Sequence, residues 1–205
     1  MMGKETRRRS CAAMRFCSRT LLLFAAAFTH AQSSTHKVTV TLIPSQTAIK
    51  WTLGDVLHTV HGTFKLADGV VSFDPQSGAA DGLIEVTAAS GESGSSARDQ
   101  NMHKNVLESA RYPVISFRPT NVSGKFDFSA DQELVVSGIF RLHGADHPLQ
   151  LQLHINAKQN SLTATTHFVV PYVQWGLKDP SNFLLRVNKT VDIDVESVGT
   201  VCDLR

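Results

Sequence analysis

Cysteine, charge of one sign and long apolar runs are all scarce in this chain, and each shortage narrows what it is. Of three cysteines in 205 residues, Cys11 and Cys17 fall in a basic N-terminal stretch that reads as a removable leader. The remainder then holds one thiol, Cys202, which cannot form an internal disulfide, so its apolar core must hold it together. The run Leu21–Phe28 is far shorter than the ~20 residues a membrane-spanning helix needs. No Gly-rich phosphate loop, nucleophile elbow, metalloprotease helix or zinc-ribbon spacing occurs, and the enzyme classes those motifs mark have no support.

The leader also carries the basic excess. Arg7, Arg8, Arg9, Arg15 and Arg19 precede Leu21–Phe28, and Thr29-His30-Ala31 offers small residues before Gln32. That is the layout of a secretory signal peptide over residues 1–31, and a start at Met14 gives a tidier version of it. Neither Cys11 nor Cys17 follows the apolar core as a lipid-anchored cysteine would. Cleavage removes six of the 20 basic residues and one of the 18 acidic ones, leaving a formal charge of −3. Nucleic-acid binding, which needs a basic face to neutralise phosphates, loses its main support. The expected product is a periplasmic or secreted domain over residues 32–205, long enough to bury a core of its own.

What is present is period-two alternation. Leu149, Leu151, Leu153, Ile155 and Ala157 alternate with polar neighbours, as do Leu134, Val136, Gly138, Phe140 and Leu142. The segment His143–Pro148 between them has the composition of a turn, so the two read as a hairpin. Leu162, Ala164, Thr166, Phe168 and Val170 form another apolar face, and Val187, Val191, Ile193 and Val195 a last one. Upstream, Val56, His58, Val60, Gly62, Phe64 and Leu66 share a face, a turn is expected at Ala67-Asp68-Gly69, and Val70–Phe73 and Leu83–Ala89 read as further strands. No linker divides the chain. One antiparallel barrel or sandwich is the natural architecture, and a barrel is preferred because closure removes exposed sheet edges.

One stretch breaks the pattern. Arg98 and Asp99 open a segment in which Met102, Val106 and Leu107 recur at helical spacing, and Tyr112-Pro113 ends it. A single short helix around residues 98–108 is expected, placed to cover one end of the barrel. Asp99 suits a first helical turn, where unpaired backbone donors attract it. Arg98 is expected either to anchor the loop to the barrel or to meet the polar head group of a ligand, for which its donor fork is suited. The histidines make no metal site: His58 and His61, three apart on a strand, point to opposite faces, and His143 with His147 offers two ligands where three or four are usual. His58 reads as an interior residue on an apolar face.

An eight-stranded barrel is either filled by its own side chains or left with room for one small ligand. Gly62, Ala88, Gly138 and Ala164 on the same faces as Phe64, Val86, Phe140 and Phe168 suggest unoccupied interior volume, yet suit a tapering core as well. Pro171 interrupts the following strand, and Tyr172 and Trp175 each combine a large apolar body with a polar tip, which suits the mouth of a pocket walled also by Phe183, Leu184 and Leu185; the other reading makes Trp175 a cap over the barrel.

Several of these pieces form a spaced series: Trp51; His58-Thr59-Val60-His61-Gly62-Thr63-Phe64; Phe73-Asp74-Pro75; Ala97-Arg98-Asp99; Tyr112-Pro113-Val114-Ile115-Ser116-Phe117; and Gly138 with Leu142-His143-Gly144. The series resembles the bacterial YceI-like family of secreted, lipocalin-like isoprenoid-binding proteins, over about Lys37 to Val198. It departs from the family in the loop Gly91–Ser96, where members often carry Thr-Gly ahead of the Arg-Asp pair. The resemblance implies an all-β, single antiparallel eight-stranded lipocalin-like barrel whose long apolar pocket takes a polyisoprenoid or quinone tail. It also implies a periplasmic location and no catalysis. Combined with the inward faces above, it gives a candidate pocket lining of Trp51, His58, Val60, Phe64, Val86, Met102, Leu107, Phe117, Phe140, Leu142, Phe168, Tyr172, Trp175 and Phe183, with Arg98 at a ligand head group. The expected partner is an isoprenoid lipid or quinone, held as ligand and not as cofactor, with no catalytic residue and no metal. Cys202 leaves a disulfide-linked homodimer open. The rival reading is a filled barrel acting through its outer surface, as an inhibitor or envelope stress protein. A third is a lipid hydrolase or isomerase with His58 as base.

Overall fold

The computed structural model describes residues 37–54, 58–181 and 186–204. The leader over residues 1–31 and Phe183, Leu184 and Leu185 lie outside the described residues, all of which fall in the unit 34–205. Among the described residues nine strand segments occur: β1 Lys37–Leu42, β2 Ala48–Gly54, β3 Thr59–Phe73, β4 Ala80–Glu92, β5 Val114–Ser123, β6 Asp131–Leu142, β7 Ala145–Lys158, β8 Ser161–Val170 and β9 Val191–Leu204. They occupy eight positions of a closed antiparallel barrel. Strands β1 and β2 both pair with β3 on one side and β9 on the other, β1 along their distant halves and β2 along the rest. They are one barrel strand interrupted by the 3-10 turn Pro44–Gln46. Pairing of β3 with β4 closes the ring.

Two sequence expectations change in detail. The residues Ala67-Asp68-Gly69 make no turn. β3 runs through them with a register shift between Leu66 and Asp68, and Asp68 Oδ1 accepts the Gly69 N–H at 2.8 Å. The extra residue reverses the parity: Leu66 is buried ahead of it, and Gly69 and Phe73 are buried after it. Such a reversal looks like a strand break in an alternation pattern. The β6–β7 turn is likewise only His143-Gly144, with φ of +52° and +78°, and not the six residues the composition suggests. A two-residue loop with both φ positive matches the right-handed twist of the flanking strands. His147 and Pro148 lie within β7, and Pro148 is tolerated because β7 pairs with β8 only from Leu153 onward, leaving that edge without a ladder bond to lose.

The single α-helical segment among the described residues, α1, runs from Ser96 through Asn101 and continues as a wider π-type turn over Met102–Val106, where the Leu107 N–H reaches the Met102 carbonyl at 2.8 Å. It starts and ends about two residues earlier than the spacing suggests. Arg98 and Asp99 sit in its first turn. Asp99 reaches back to the preceding loop, its Oδ1 accepting the Ser93 N–H at 2.9 Å and hydroxyl at 2.6 Å.

Two apolar layers fill the interior. At the end away from the helix, Val38, Val40, Phe73, Phe117, Val122, Leu134, Val136, Ile155, Ala157, Leu162, Ala164 and Val201 pack together. Phe126 and Phe128, from the β5–β6 connection, fold in to seal that end, with ring centroids 5.2 Å (Phe73–Phe126) and 5.0 Å (Phe126–Phe128) apart. The layer under the helix is sparser: Ala88, Ile115, Leu142, Val170, Tyr172 and Leu177 are its buried members.

The inward glycines do not leave the voids their size suggests. Gly62 faces Trp51 directly across the β2–β3 ladder, and the indole lies where a Cβ of residue 62 would stand. Gly138 is covered in the same way by the Phe117 ring, whose Cζ is 2.6 Å from the position of an added Cβ. Both are sites where a ring packs onto bare backbone, and a side chain there must displace the ring and also a backbone carbonyl, that of Glu92 at residue 62 and of Arg118 at residue 138. Gly138→Ala should cost about 1–3 kcal/mol, as overpacking does, in urea unfolding followed by circular dichroism. An unchanged midpoint would mean that the ring moves aside freely.

Candidate functional site

The strands determine where the interior stops being filled. Along β9, Val191, Ile193, Val195 and Ser197 border a cavity, while Val201 is part of the sealed layer. Along β8 the boundary falls between Ala164 and Leu162, along β7 between Leu153 and Ile155, and along β6 between Phe140 and Val136. The result is a blind cavity of about 520 Å³, closed at one end and bordered by the helix and the β8–β9 connection at the other. That volume is in the range of small-molecule pockets.

Its wall is largely apolar, and four of the five hydroxyls on it are turned onto backbone. Thr47 donates to the Ile43 carbonyl at 3.0 Å, Thr166 to Gln152 at 2.7 Å, Ser197 to Ala164 at 3.4 Å and Tyr172 to Asn188 at 2.7 Å. Arg98 and Tyr172 are the only titratable residues among the described residues on the wall. Arg98 and Asn101 come from α1, so polarity is concentrated where the helix meets the opening. Among the described residues no histidine, carboxylate, lysine or cysteine borders the cavity, and no cluster of histidine, cysteine and carboxylate is placed to hold a metal ion.

The structure places Trp51, Val60, Phe64, Val86, Met102, Leu107, Phe117, Phe140, Leu142, Phe168 and Tyr172 on the cavity wall, with Arg98 beside them. The widened turn of α1 aligns Met102 with Leu107 over the opening, and Met102 packs at Gly91 beside Phe64. His58 is a correction: β3 begins at Thr59, and His58 precedes it, exposed and off the wall, so the face that seemed to include it starts at Val60. Trp175 is a second. It stacks on His147 with centroids 4.1 Å apart and planes 6° from parallel, and approaches Phe140 at 5.8 Å, capping the barrel without bordering the cavity. Arg98 is exposed and makes no side-chain hydrogen bond or ion pair among the described residues, so the expected anchoring has no partner there. Wall residues missed by the sequence reading include Leu53, Ile84, Ile115, Leu177 and Ile193; the alternation marked most of their strands without saying how far down each one the cavity reaches.

The helix is tied to the barrel by directional contacts in its second half and just beyond it. His103 Nε2 lies 2.8 Å from the Gly91 carbonyl oxygen. Where the helix stops, Glu108 adopts φ +46° and its carboxylate meets His143 Nε2 at 2.7 Å, while Tyr112 packs on the His143 ring. On the opposite side, Tyr172 holds the β8–β9 connection through Asn188.

A closed antiparallel barrel with one sealed end and one apolar blind cavity is the architecture of lipocalin-like binding proteins. Residues 40–198 match the profile of the YceI-like domain, and the chain belongs to that family. Among curated relatives, a UPF0312 protein of Pseudomonas syringae pv. tomato is 33% identical over 101 residues, which is 48% of this chain and 50% of the relative. Protein YceI of Escherichia coli O157:H7 is 30% identical over 95 residues, 45% and 47% of the two chains. The chain thus matches about half the length of these relatives. Solved structures share the fold at low identity. A polyisoprenoid binding domain from Saccharophagus degradans, implicated in plant cell wall breakdown, superposes with TM-score 0.60 at 14% identity over 80% of this chain and 98% of that one. Burkholderia cenocepacia BcnA gives 0.61 at 13% identity over 77% and 98%.

Burial, with the Asp179 charge adding to it, pushes the Tyr172 hydroxyl up to about 12. An unfolded tyrosine titrates near 10. Because the folded value is the higher, the stability this hydroxyl contributes is fully present below pH ~10 and is lost as pH rises through about 12. A late phenolate absorbance step near pH 12 is expected, absent from Tyr172→Phe, together with a steeper loss of stability over pH 10–12 in the wild type than in the variant. Identical titrations of the two proteins would contradict the assignment.

Proposed function

We propose that this protein binds a long apolar chain, a polyisoprenoid or the tail of an isoprenoid quinone, within the barrel, and sequesters or carries it without chemical change in the periplasm or after secretion. The observation that carries this reading is the cavity: blind, largely apolar along its length, four of its five hydroxyls occupied by backbone carbonyls. Family membership and the polyisoprenoid-binding domain of similar fold support it. Burial alone supplies the affinity, since each methylene removed from water contributes about 0.8 kcal/mol. Arg98 and Asn101 mark the mouth, where the head group is held, and the guanidinium suits an anionic or carbonyl-bearing one. The open interior speaks against the filled-barrel reading, and the exposed His58 against a catalytic base inside it.

Organic extraction of the purified mature protein (32–205), followed by mass spectrometry, is expected to release an isoprenoid or quinone in stoichiometric amount. Phe140→Asp and Phe168→Asp put a carboxylate into the apolar wall and should lower its recovery at least about tenfold. Far-UV dichroism should stay β-like in both. Arg98→Ala should shift the extract toward uncharged head groups. Full lipid recovery from both well-folded aspartate variants would overturn the assignment of the interior as the binding site.

A further inference from the structure

We infer that the floor of the cavity, formed by Phe117 on one wall and the paired Ala164 and Ser197 on the other, sets the maximum length of the apolar chain this protein accepts. The inference rests on the lipid-binding reading above. Three observations lead to it. First, the cavity has a definite bottom: its lining ends at the level of Leu42, Phe117, Leu153, Ala164 and Ser197, and below that level the interior is solid apolar packing. A ligand chain cannot extend past it, because close-packed side chains leave no channel.

Second, the floor on the β5 side is one ring. Phe117 is buried and lies over Gly138, the only inward position of β6 between Phe140 on the cavity wall and Val136 in the sealed layer. Because Gly138 has no side chain, nothing on β6 would replace the ring if it were removed. Truncating Phe117 therefore lengthens the cavity toward Val136. Most core positions differ, since their neighbours on every strand carry side chains.

Third, the opposite part of the floor is a recess of two small residues. Ala164 and Ser197 are directly paired across β8 and β9, both border the cavity, and the Ser197 hydroxyl is turned onto the Ala164 carbonyl at 3.4 Å. A larger apolar side chain at Ala164 projects into free volume and raises the floor. Along β9 the cavity spans Val191 to Ser197. With about 3.3 Å per residue and a strand tilt near 40°, that is a depth of about 15 Å. One side chain at the bottom is then a sizeable fraction of the length available.

The test is a binding series with all-trans prenols of increasing length (farnesol, geranylgeraniol and solanesol), read by thermal shift and by mass spectrometry of the retained ligand. It compares the wild type with Phe117→Ala, Phe117→Leu and Ala164→Leu. Each methylene gained or lost from the interior changes affinity about fourfold. Both Phe117 variants should therefore raise the ratio of longer to shorter prenol bound by at least about tenfold, and Ala164→Leu should lower it by a similar factor. Phe117→Leu and Ala164→Leu keep the test open if Phe117→Ala fails to fold. Prenol binding with the same length preference in the wild type and the folded variants would overturn the gauge while leaving lipid binding intact. Failure of every protein, wild type included, to bind any prenol would remove the lipid reading and the gauge with it.

Discussion

Closure of the sheet is the constraint on which the rest of this molecule depends. Once β3 pairs with β4, eight strand positions enclose an interior whose width is fixed by strand number and stagger, whatever side chains point into it. The sequence fills that interior at one end only. There, Phe73 from the end of β3 meets Phe126 and Phe128 from the β5–β6 connection in an aromatic seal. Towards the helix the inward residues are still apolar, but they do not reach across, and a cavity of about 520 Å³ is left. With one exposed thiol and no disulfide among the described residues, the sealed layer bears most of the burden of keeping the barrel shut.

The cavity and the stability of the fold pull against each other. Unfilled apolar volume forfeits packing that a core would gain, so an empty pocket of this size is a cost that a bound apolar chain offsets. The polar inventory of the wall is consistent with that logic. Four hydroxyls that would otherwise favour water are each committed to a carbonyl, and the one permanent charge stands at the opening. The helix that borders the opening has no fully buried residue of its own, and it is held by His103 at Gly91 and by the Glu108–His143 pair. Elements fastened by a few directional contacts belong to the less stable parts of a fold.

The strand faces of β6 through β9, the lone helix and the family were legible in the sequence, because half-buried strands must alternate and a helix must not. What stayed hidden depends on register. Gly62 and Gly138 looked like gaps; only the cross-strand pairing of Trp51 with Gly62, and the lean of Phe117 over Gly138, reveals that rings occupy them. The bulge after Leu66 imitated a turn by reversing parity, and His147-Pro148 imitated one by composition. His58 seemed to continue an inward face because periodicity cannot say where a strand begins. Trp175 was ambiguous between wall and cap; its stacking on His147, a residue 28 positions earlier, decides for the cap. The depth of the cavity is a property of eight strands taken together, and no single strand encodes it.

The central claim is that the interior receives an apolar chain, and Trp51 gives direct access to it. Its indole sits on the cavity wall, and the chain contains only one other tryptophan, Trp175 at the cap. Tryptophan fluorescence of the delipidated protein, titrated with a long-tailed isoprenoid quinone and with the same quinone lacking its tail, separates interior binding from surface contact. The account predicts saturable, stoichiometric quenching by the tailed quinone that persists in Trp175→Phe, and only weak collisional quenching by the tail-less one. Equal quenching by the two, or no saturation with either, would contradict it.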